Sequence, residues 1–187
     1  VQRNRLLAHV RGQYIFFLDA DEIITPELRE EIMALVRSGQ QGVWRVRWTV
    51  VAFGHVLRHF NSDSSMERLF TTDLIDHYEG VVHEAAVLKA DRPATRGALR
   101  QRLLHHSRQS IRASLEKLTQ YAMLGAAKRL AAGKRGGVLR GMASATVLFT
   151  RTYFFRRAFL DGGPGFLYCY FVALECFFRY VALHYDR

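Results

Sequence analysis

The sequence has only two cysteines, Cys169 and Cys176, among its 187 residues. On a helix these two positions share a face about two turns apart, which is too far for an unstrained disulfide. We therefore expect buried thiols in a reducing compartment rather than a disulfide framework. No spacing of cysteine or histidine resembles a zinc site, so structural zinc-binding modules are not indicated.

Acidic residues are scarce relative to basic ones. The chain has 17 Asp and Glu against 27 Lys and Arg, which gives a formal net charge of +10. This balance predicts an anionic partner, such as nucleic acid, anionic lipid or a phosphorylated substrate. The imbalance is strongest over residues 92–140, where Glu116 is the only acid. Those cations form either a solvated helix face or a surface for anionic lipid or a lipid-linked phosphate.

The sequence also lacks an initiating methionine and begins at Val1, inside a segment that reads as a helix up to Val10. We expect an N-terminal truncation, so the lack of a leader peptide is uninformative. The length is sufficient for one domain with a hydrophobic core, or for one domain with a helical extension.

The most informative stretch is residues 14–22. Five apolar residues, Tyr14 to Leu18, are followed by three acids, Asp19, Asp21 and Glu22. The apolar run predicts a strand buried on both faces, and the acids then lie at its C-terminal end, where open α/β sheets place ligands. Two carboxylates that face one point repel each other, and a hard divalent cation relieves that repulsion.

The same acids have a simpler interpretation as a turn before a helix. Thr25 would be the N-cap, Pro26 the first helical residue and Glu27 a first-turn acid. A helix start is compatible with a metal site just before it, so both interpretations stay open.

Further along, the patterns predict more strands and then helices. Alternation over residues 43–51 predicts a half-buried strand, and Arg68-Leu69-Phe70 and residues 103–107 read as strand segments. Ser110 is the expected N-cap of a helix that ends near Ala132. Residues 166–183 approach the length of a membrane span, but Glu175 and Arg179 favour an interfacial or protein-packed helical hairpin.

Several segments together resemble a known family. They are Tyr-Ile-Phe-Phe-Leu-Asp-Ala-Asp-Glu at 14–22, Arg-Leu-Phe at 68–70, Val-His-Glu at 82–84 and Leu-Asp-Gly at 160–162. The combination resembles family 2 glycosyltransferases, and more narrowly the bacterial lipopolysaccharide core glycosyltransferases. The resemblance implies an α/β fold: a partial GT-A domain lacking its first strands over residues 1–108, followed by a helical, basic and aromatic region over residues 109–187.

The resemblance also implies roles for individual residues. Asp21 would bind Mg²⁺ or Mn²⁺, with His83 as a further contact to the metal or the diphosphate. Asp19 would contact the nucleotide ribose or the metal, and Arg68 would lie near the donor. The base that accepts the proton of the attacking hydroxyl would be Glu84 or Glu22. We favour Glu84 slightly, because metal or helix-start electrostatics can occupy Glu22.

The implied reaction is inverting transfer of a sugar from a nucleotide-sugar to a hydroxyl of a lipid-linked or cell-envelope glycan. The implied location is the cytoplasm, on the inner face of a bacterial cytoplasmic membrane, with peripheral contact to anionic lipid and no nucleic acid partner. One alternative is a basic module that binds nucleic acid or anionic membrane without catalysis. Another is a small integral membrane protein. The cations of residues 92–140 and the aromatics of residues 149–185 separate along the chain, which counts against nucleic acid binding.

Overall fold

The computed structural model describes residues 2–80 and 85–186. It is a mixed α/β structure in which strands and short helices come first and three long helices follow. The strands are β1 (Tyr14–Phe16), β2 (Glu22–Ile23), β3 (Val43–Ala52), β4 (His55–Val56), β5 (Ser65–Thr71), β6 (Ile75–Glu79), β7 (Ala85–Leu88) and β8 (Arg96–Arg108). The helices are α1 (Gln2–Leu7), α2 (Pro26–Arg37), α3 (Ile111–Ala131), α4 (Val138–Thr150) and α5 (Gly162–Tyr185).

Six strands form one sheet in the order β1-β5-β3-β8-β2, with β4 paired to β3. The pairs β1–β5, β3–β5 and β3–β4 are all antiparallel. Strands β6 and β7 form a separate antiparallel pair. The acids after β1 therefore lie at the end of an edge strand whose described partner, β5, is antiparallel.

The chain divides into two compact units. The first comprises residues 1–48 and 63–104, and the second comprises residues 49–62 and 105–187. The predicted domain division after residue 108 lies near the boundary that follows residue 104, but residues 49–62 group with the helices. Strands β3 and β8 each begin in the first unit and end in the second.

The first unit has two apolar clusters, and β1 contributes to both. Ile15, and Phe17 directly after the strand, pack in the cluster that contains Phe70. Tyr14 and Phe16 pack in the cluster that contains Leu28. This alternation follows from the period of two in a strand. Strand β1 thus contacts apolar side chains on both of its faces.

The predicted strand from Tyr14 to Leu18 is nevertheless too long, and its burial was overestimated. Strand β1 ends at Phe16 and is only half-buried. Leu18 is 46% exposed. The physical reason is that β1 is an edge strand in the described sheet, so one of its sides has no neighbouring strand to cover it.

The predicted start of α2 is confirmed. Helix α2 begins at Pro26, and the Oγ1 atom of Thr25 accepts a hydrogen bond from the backbone N–H of Leu28 at 3.2 Å. Glu27 lies in the first turn, where it complements the helix dipole. These local features fix the start of α2 four residues after Glu22.

The second unit is built around α5. Helix α5 packs against α3 and α4. Its Cys169 joins a cluster with Val50, Leu57 and Phe60 from the β3–β4 region. The helices are therefore part of a packed core rather than a detached tail. Helix α3 begins after Ser110, whose Oγ accepts a hydrogen bond from the backbone N–H of Ala113 at 3.1 Å, as the sequence predicted.

Residues Ala158–Tyr185 are long and apolar enough to cross a membrane by length and composition. A core helix of a soluble protein meets the same criterion. In α5 the charged residues are paired, since Glu175 accepts hydrogen bonds from Arg108 at 3.2 Å and Arg179 at 2.8 Å. This packing agrees with the predicted protein-packed hairpin.

Both cysteines are buried free thiols, as expected. Burial raises the pKa of Cys169 and of Cys176, so both are neutral at physiological pH.

Candidate functional site

The acids after β1 are organised by a tight turn. The backbone N–H of Glu22 donates to the carbonyl of Asp19 at 3.0 Å, which closes a four-residue turn over Ala20 and Asp21. The backbone N–H of Asp19 donates in return to Oε2 of Glu22 at 3.0 Å. Asp21 occupies the third position of this turn and is half-buried. The turn therefore presents Asp21 near its tip while its two end residues are fixed to each other.

Arg68 holds the two end acids together from β5. Its Nη2 atom lies 2.5 Å from Oδ2 of Asp19 and 2.5 Å from Oε1 of Glu22. Arg68 is only 1% exposed. It is placed here because the backbone N–H of Phe17 donates to the carbonyl of Arg68 at 2.9 Å, which joins the end of β1 to β5. A buried guanidinium needs such acceptors, since an unpaired buried charge is costly.

Both carboxylate oxygens of Glu22 accept hydrogen bonds. Besides Arg68 and the N–H of Asp19, it accepts a hydrogen bond from the indole Nε1 of Trp48 at 2.7 Å. Glu22 is 6% exposed. The Trp48 ring also lies under the guanidinium of Arg68, at 5.7 Å from its centroid. These contacts make Glu22 a structural anchor for the turn.

Asp19 is more accessible, with its side chain 45% exposed. Its second oxygen, Oδ1, accepts a hydrogen bond from Nη2 of Arg3 at 2.7 Å. Partial burial by itself would raise the pKa of Asp19, but the hydrogen bonds and charges of Arg68 and Arg3 outweigh it. The net pKa of Asp19 lies below its ordinary value, so this acid is ionised at physiological pH.

Helix α1 is fixed against β6 by one asparagine. The side-chain amide of Asn4 donates from Nδ2 to the carbonyl of Tyr78 at 2.9 Å. Its Oδ1 accepts from the N–H of Tyr78 at 2.6 Å. Arg3, the neighbouring residue, lies over the rings of Phe17 and Tyr78 at 5.4 and 5.5 Å. Asn4 thus sets the position from which Arg3 reaches Asp19.

A cleft of about 350 Å³ borders this cluster. Arg3 and Tyr78 line it, together with Arg45 and Arg96. Arg96 pairs with Glu67 at 2.8 Å. Three cations and Glu67 therefore line this cleft, and Arg3 is the lining residue that also contacts the acidic turn.

The side chains of the acidic turn are candidate ligands for a divalent metal. Among residues 2–80 and 85–186, no group of three or more His, Cys, Asp or Glu side chains could hold a metal ion. Mg²⁺, however, is commonly held by one or two carboxylates together with substrate phosphates and water. A half-buried Asp21 beside the ionised Asp19 fits that type of site, whereas Glu22, whose two oxygens already accept hydrogen bonds, does not.

The structure brings together three of the predicted site residues, Asp19, Glu22 and Arg68, and places Asp21 in the turn between two of them. Two further predicted residues, His83 and Glu84, lie outside the described residues. The direct contact between Arg68 and the donor stays a prediction; the contacts that the structure shows for Arg68 are to the two acids.

Sequence reasoning did not find the contribution of Trp48 or the bridging contacts of Arg3 and Asn4. The alternation over residues 43–51 indicates only that Trp48 lies on a strand. When a tryptophan is removed from water, its indole N–H needs a hydrogen-bond acceptor. That requirement is the signal that could have pointed to an acid near Trp48.

The fold is of the mixed α/β class expected for a partial GT-A domain followed by a helical region. Within it, residues 1–89 match the family model described as glycosyl transferase family 2. The match covers the acidic turn, Arg68 and the Val-His-Glu segment at 82–84. It supports glycosyltransferase activity in general terms.

Proposed function

We propose that this chain carries the catalytic site of an inverting glycosyltransferase that uses a nucleotide-sugar donor and a divalent metal. The observation that carries the proposal is the acidic turn. Arg68 and Trp48 hold Glu22, and Glu22 in turn holds the backbone of Asp19, so the turn is prepared before any ligand binds. Preorganised groups cost no rearrangement when the ligand arrives.

Asp21, assisted by Asp19, would hold Mg²⁺ or Mn²⁺. When bound, such a metal neutralises the charge that develops on the leaving diphosphate. The ionised state of Asp19 supports this assignment, since a metal ligand must be deprotonated. Asp19 has a competing role, because Arg3 and Arg68 already occupy both of its oxygens. We therefore assign the main ligand role to Asp21 and a contact to the nucleotide ribose or the metal to Asp19.

The base is proposed to be Glu84. A general base must reach the proton that it removes and must have a free lone pair for it. Glu22 is poorly placed for both, since it is 6% exposed and both of its oxygens already accept hydrogen bonds, from Asp19, Trp48 and Arg68. His83 remains the proposed additional contact to the metal or diphosphate.

The acceptor is proposed to be a hydroxyl of a lipid-linked or cell-envelope glycan, as in lipopolysaccharide core synthesis. The protein would then work peripherally on the cytoplasmic face of a membrane. The exposed cations and apolar side chains of the second unit support this location.

The metal role is tested by Asp21→Asn in the full-length protein. We expect loss of metal-dependent nucleotide-sugar turnover. We also expect loss of the Mg²⁺ dependence of nucleoside diphosphate binding, measured by calorimetry, because the amide cannot replace the charge of the carboxylate. Glu30→Gln is the matched control, since Glu30 is an exposed acid on α2 whose side chain is 67% exposed. Near-normal turnover in Asp21→Asn would remove Asp21 from the site.

A further inference from the structure

A second cleft, of about 450 Å³, lies in the second unit and is lined almost entirely by cations. Helix α3, the connection after it and the first turn of α4 supply five of them around one aromatic residue of α5, Tyr180. We call this the basic cleft. Its lining cations are Lys128, Arg129, Lys134, Arg135 and Arg140.

In the described part of the chain, none of these five cations pairs with an acidic side chain. Elsewhere the second unit does pair its charges, as Arg108 and Arg179 do with Glu175. Five like charges around one concave surface repel each other and focus a positive potential there. An anion that enters the cleft relieves that repulsion. The five cations therefore favour anion binding, whereas their mutual repulsion does not stabilise the fold.

Two of the arginines that line the basic cleft are held in place by specific contacts. The guanidinium groups of Arg129 and Arg140 lie over the ring of Tyr180, at 5.2 and 5.9 Å from its centroid. Arg140 also donates from Nη1 to the carbonyl of Arg135 at 3.1 Å. These contacts fix the two arginines from α3 and α4 on one aromatic platform.

The connection that carries Lys134 and Arg135 is held tightly against α5. The backbone N–H of Gly137 donates to the carbonyl of Tyr180 at 2.9 Å. A Cβ atom at Gly136 would collide with that same carbonyl oxygen, so only glycine allows this approach. The two cations therefore project from a backbone segment with a defined position.

Helix α4 begins beside the basic cleft with no negative charge of its own. Its N-cap is Gly137, which has no side chain to cap the helix, and its first turn has no acid. The unsatisfied N–H groups at a helix start favour an anion. Together with the five cations, this start provides donors suited to a phosphate group.

Exposed apolar side chains follow immediately on α4. Leu139 is 84% exposed, Met142 is 55% exposed and Val147 is 68% exposed. Their spacing places them on one face of the helix. An apolar face on the helix that supplies Arg140 to a cationic cleft has the chemistry of a lipid interface, where cations meet headgroups and apolar side chains enter the acyl region.

We propose that the basic cleft binds the phosphate of an anionic phospholipid headgroup, and that Leu139 and Met142 insert beside it. The occupant is thus a membrane surface rather than a soluble phosphate or a nucleic acid. This inference rests on the proposed function, which places the protein at a membrane, and it names the residues that would contact that membrane. Its test needs neither donor nor metal, so it can fail while the glycosyltransferase proposal stands, and the reverse also holds.

The test measures binding of the full-length protein to vesicles of phosphatidylcholine alone and of phosphatidylcholine mixed equally with phosphatidylglycerol. We expect binding to the anionic vesicles only. Loss of two cations near an anionic surface should weaken binding roughly tenfold or more, so Arg129→Gln with Arg140→Gln should show that loss. Arg129→Lys with Arg140→Lys keeps the charge and should retain most of the binding, which separates loss of charge from loss of folding.

The matched control removes the same charge elsewhere. Arg29 and Arg112 have side chains that are 71% and 92% exposed and lie outside the basic cleft. Arg29→Gln with Arg112→Gln should leave vesicle binding within about twofold of the parent protein. An equal loss in both double variants would mean that general charge attraction is responsible, and the proposal would be overturned.

The apolar component has its own pair of variants. Leu139→Gln should weaken vesicle binding at high salt, where screening has removed most of the electrostatic contribution. Leu115→Gln is the control, because Leu115 is 52% exposed and lies on α3 about 20 Å along the helix from Lys128, whereas Leu139 is adjacent in sequence to Arg140 of the cleft. If Leu139→Gln behaves like the control, insertion beside the cleft is excluded.

Two soluble competitors of vesicle binding test whether the basic cleft instead binds a soluble phosphate or a nucleic acid. Glycerol phosphate in excess should not release the protein from vesicles, since it lacks acyl chains and a surface. Complete release would assign the cleft to soluble phosphates. Single-stranded RNA that displaces the vesicles, and whose binding depends on Arg129 and Arg140, would assign it to nucleic acid. Either result would overturn the proposal.

Discussion

Arg68 and Glu22 form an ion pair at 2.5 Å in which both side chains are almost completely buried, 1% and 2% exposed. The pair joins β5 to the end of the acidic turn. Removal of one charge would leave the other without compensation in a region of low polarity. The turn that presents Asp21 therefore depends on a residue nearly fifty positions later in the sequence.

The first prediction concerns this pair. Arg68→Met should lower the free energy of unfolding by about 3 kcal/mol or more, since Glu22 would be left buried and unpaired. Urea unfolding of the two proteins measures the difference. Arg96→Met is the control: Arg96 is 65% exposed and its pair with Glu67 should contribute less than about 1 kcal/mol. Equal effects of the two variants would show that the buried network does not hold the turn.

The second prediction follows from the lowered pKa of Asp19. Between the folded pKa and the ordinary aspartate value of about 3.9, the unfolded chain binds more protons than the folded one. The contribution of Asp19 to stability is therefore complete above the ordinary value and is lost as pH falls through the folded pKa. Asp19→Asn should flatten the acid limb of a plot of unfolding midpoint against pH.

The control for that experiment is Asp73→Asn, on an acid whose side chain is 79% exposed. We expect it to change the acid limb less than Asp19→Asn does. An unchanged acid limb in Asp19→Asn would mean that Arg3 and Arg68 do not stabilise the ionised form.

The third prediction separates the two candidate bases. Glu84→Gln should lower kcat strongly with little change in donor binding, since a base acts in the chemical step. Glu22→Gln should instead lower stability, because it weakens the contacts to Arg68 and Trp48. Thermal unfolding and steady-state kinetics on both variants give the comparison. If Glu22→Gln folds normally and alone loses kcat, the base is Glu22.

The fourth prediction concerns the long-range contact between α1 and β6. Asn4→Ala should lower the free energy of unfolding by about 1–3 kcal/mol, since it leaves the N–H and the carbonyl of Tyr78 unsatisfied. Asn4→Asp retains the acceptor but places a charge opposite that carbonyl, so it should also destabilise. Chemical unfolding of both variants is the measurement, and unchanged stability in both would show that this contact does not fix α1.

The features that the sequence predicted well are local. The start of α2 follows from Thr25 and Pro26, and the start of α3 follows from Ser110, because capping groups act within one helical turn. Strand β3 followed from alternation, with Trp44 and Val46 buried and Arg45 exposed. Each of these elements is determined by neighbours within a few positions.

The features that were missed depend on contacts between distant residues. Asn4 and Tyr78 are 74 positions apart, and Trp48 and Glu22 are 26 apart. No periodicity encodes which buried acid receives a given indole N–H. The length of β1 was overestimated for a related reason, because an apolar run does not reveal whether its strand lies at an edge of the sheet.

The last prediction concerns the charged residues inside the helical unit. Glu175 accepts hydrogen bonds from Arg108, whose side chain is 4% exposed, and from Arg179, whose side chain is 21% exposed. Glu175→Leu should therefore lower the free energy of unfolding by about 3 kcal/mol, since a buried guanidinium loses its counter-charge. Glu116→Leu is the control: Glu116 pairs with Arg112 on the surface, and its loss should cost less than about 1 kcal/mol.

A double variant makes this test decisive. Arg108→Met with Glu175→Leu removes both buried charges, and replacement of a whole buried pair by apolar groups is often close to neutral. Stability should therefore recover by most of what Glu175→Leu alone had lost, as measured by a double-mutant cycle in urea. Additive losses in the double variant would contradict the pairing. They would mean that Glu175 and Arg108 stabilise the second unit through separate contacts, such as the hydrogen bond from Arg108 to the carbonyl of Ser114 at 3.1 Å.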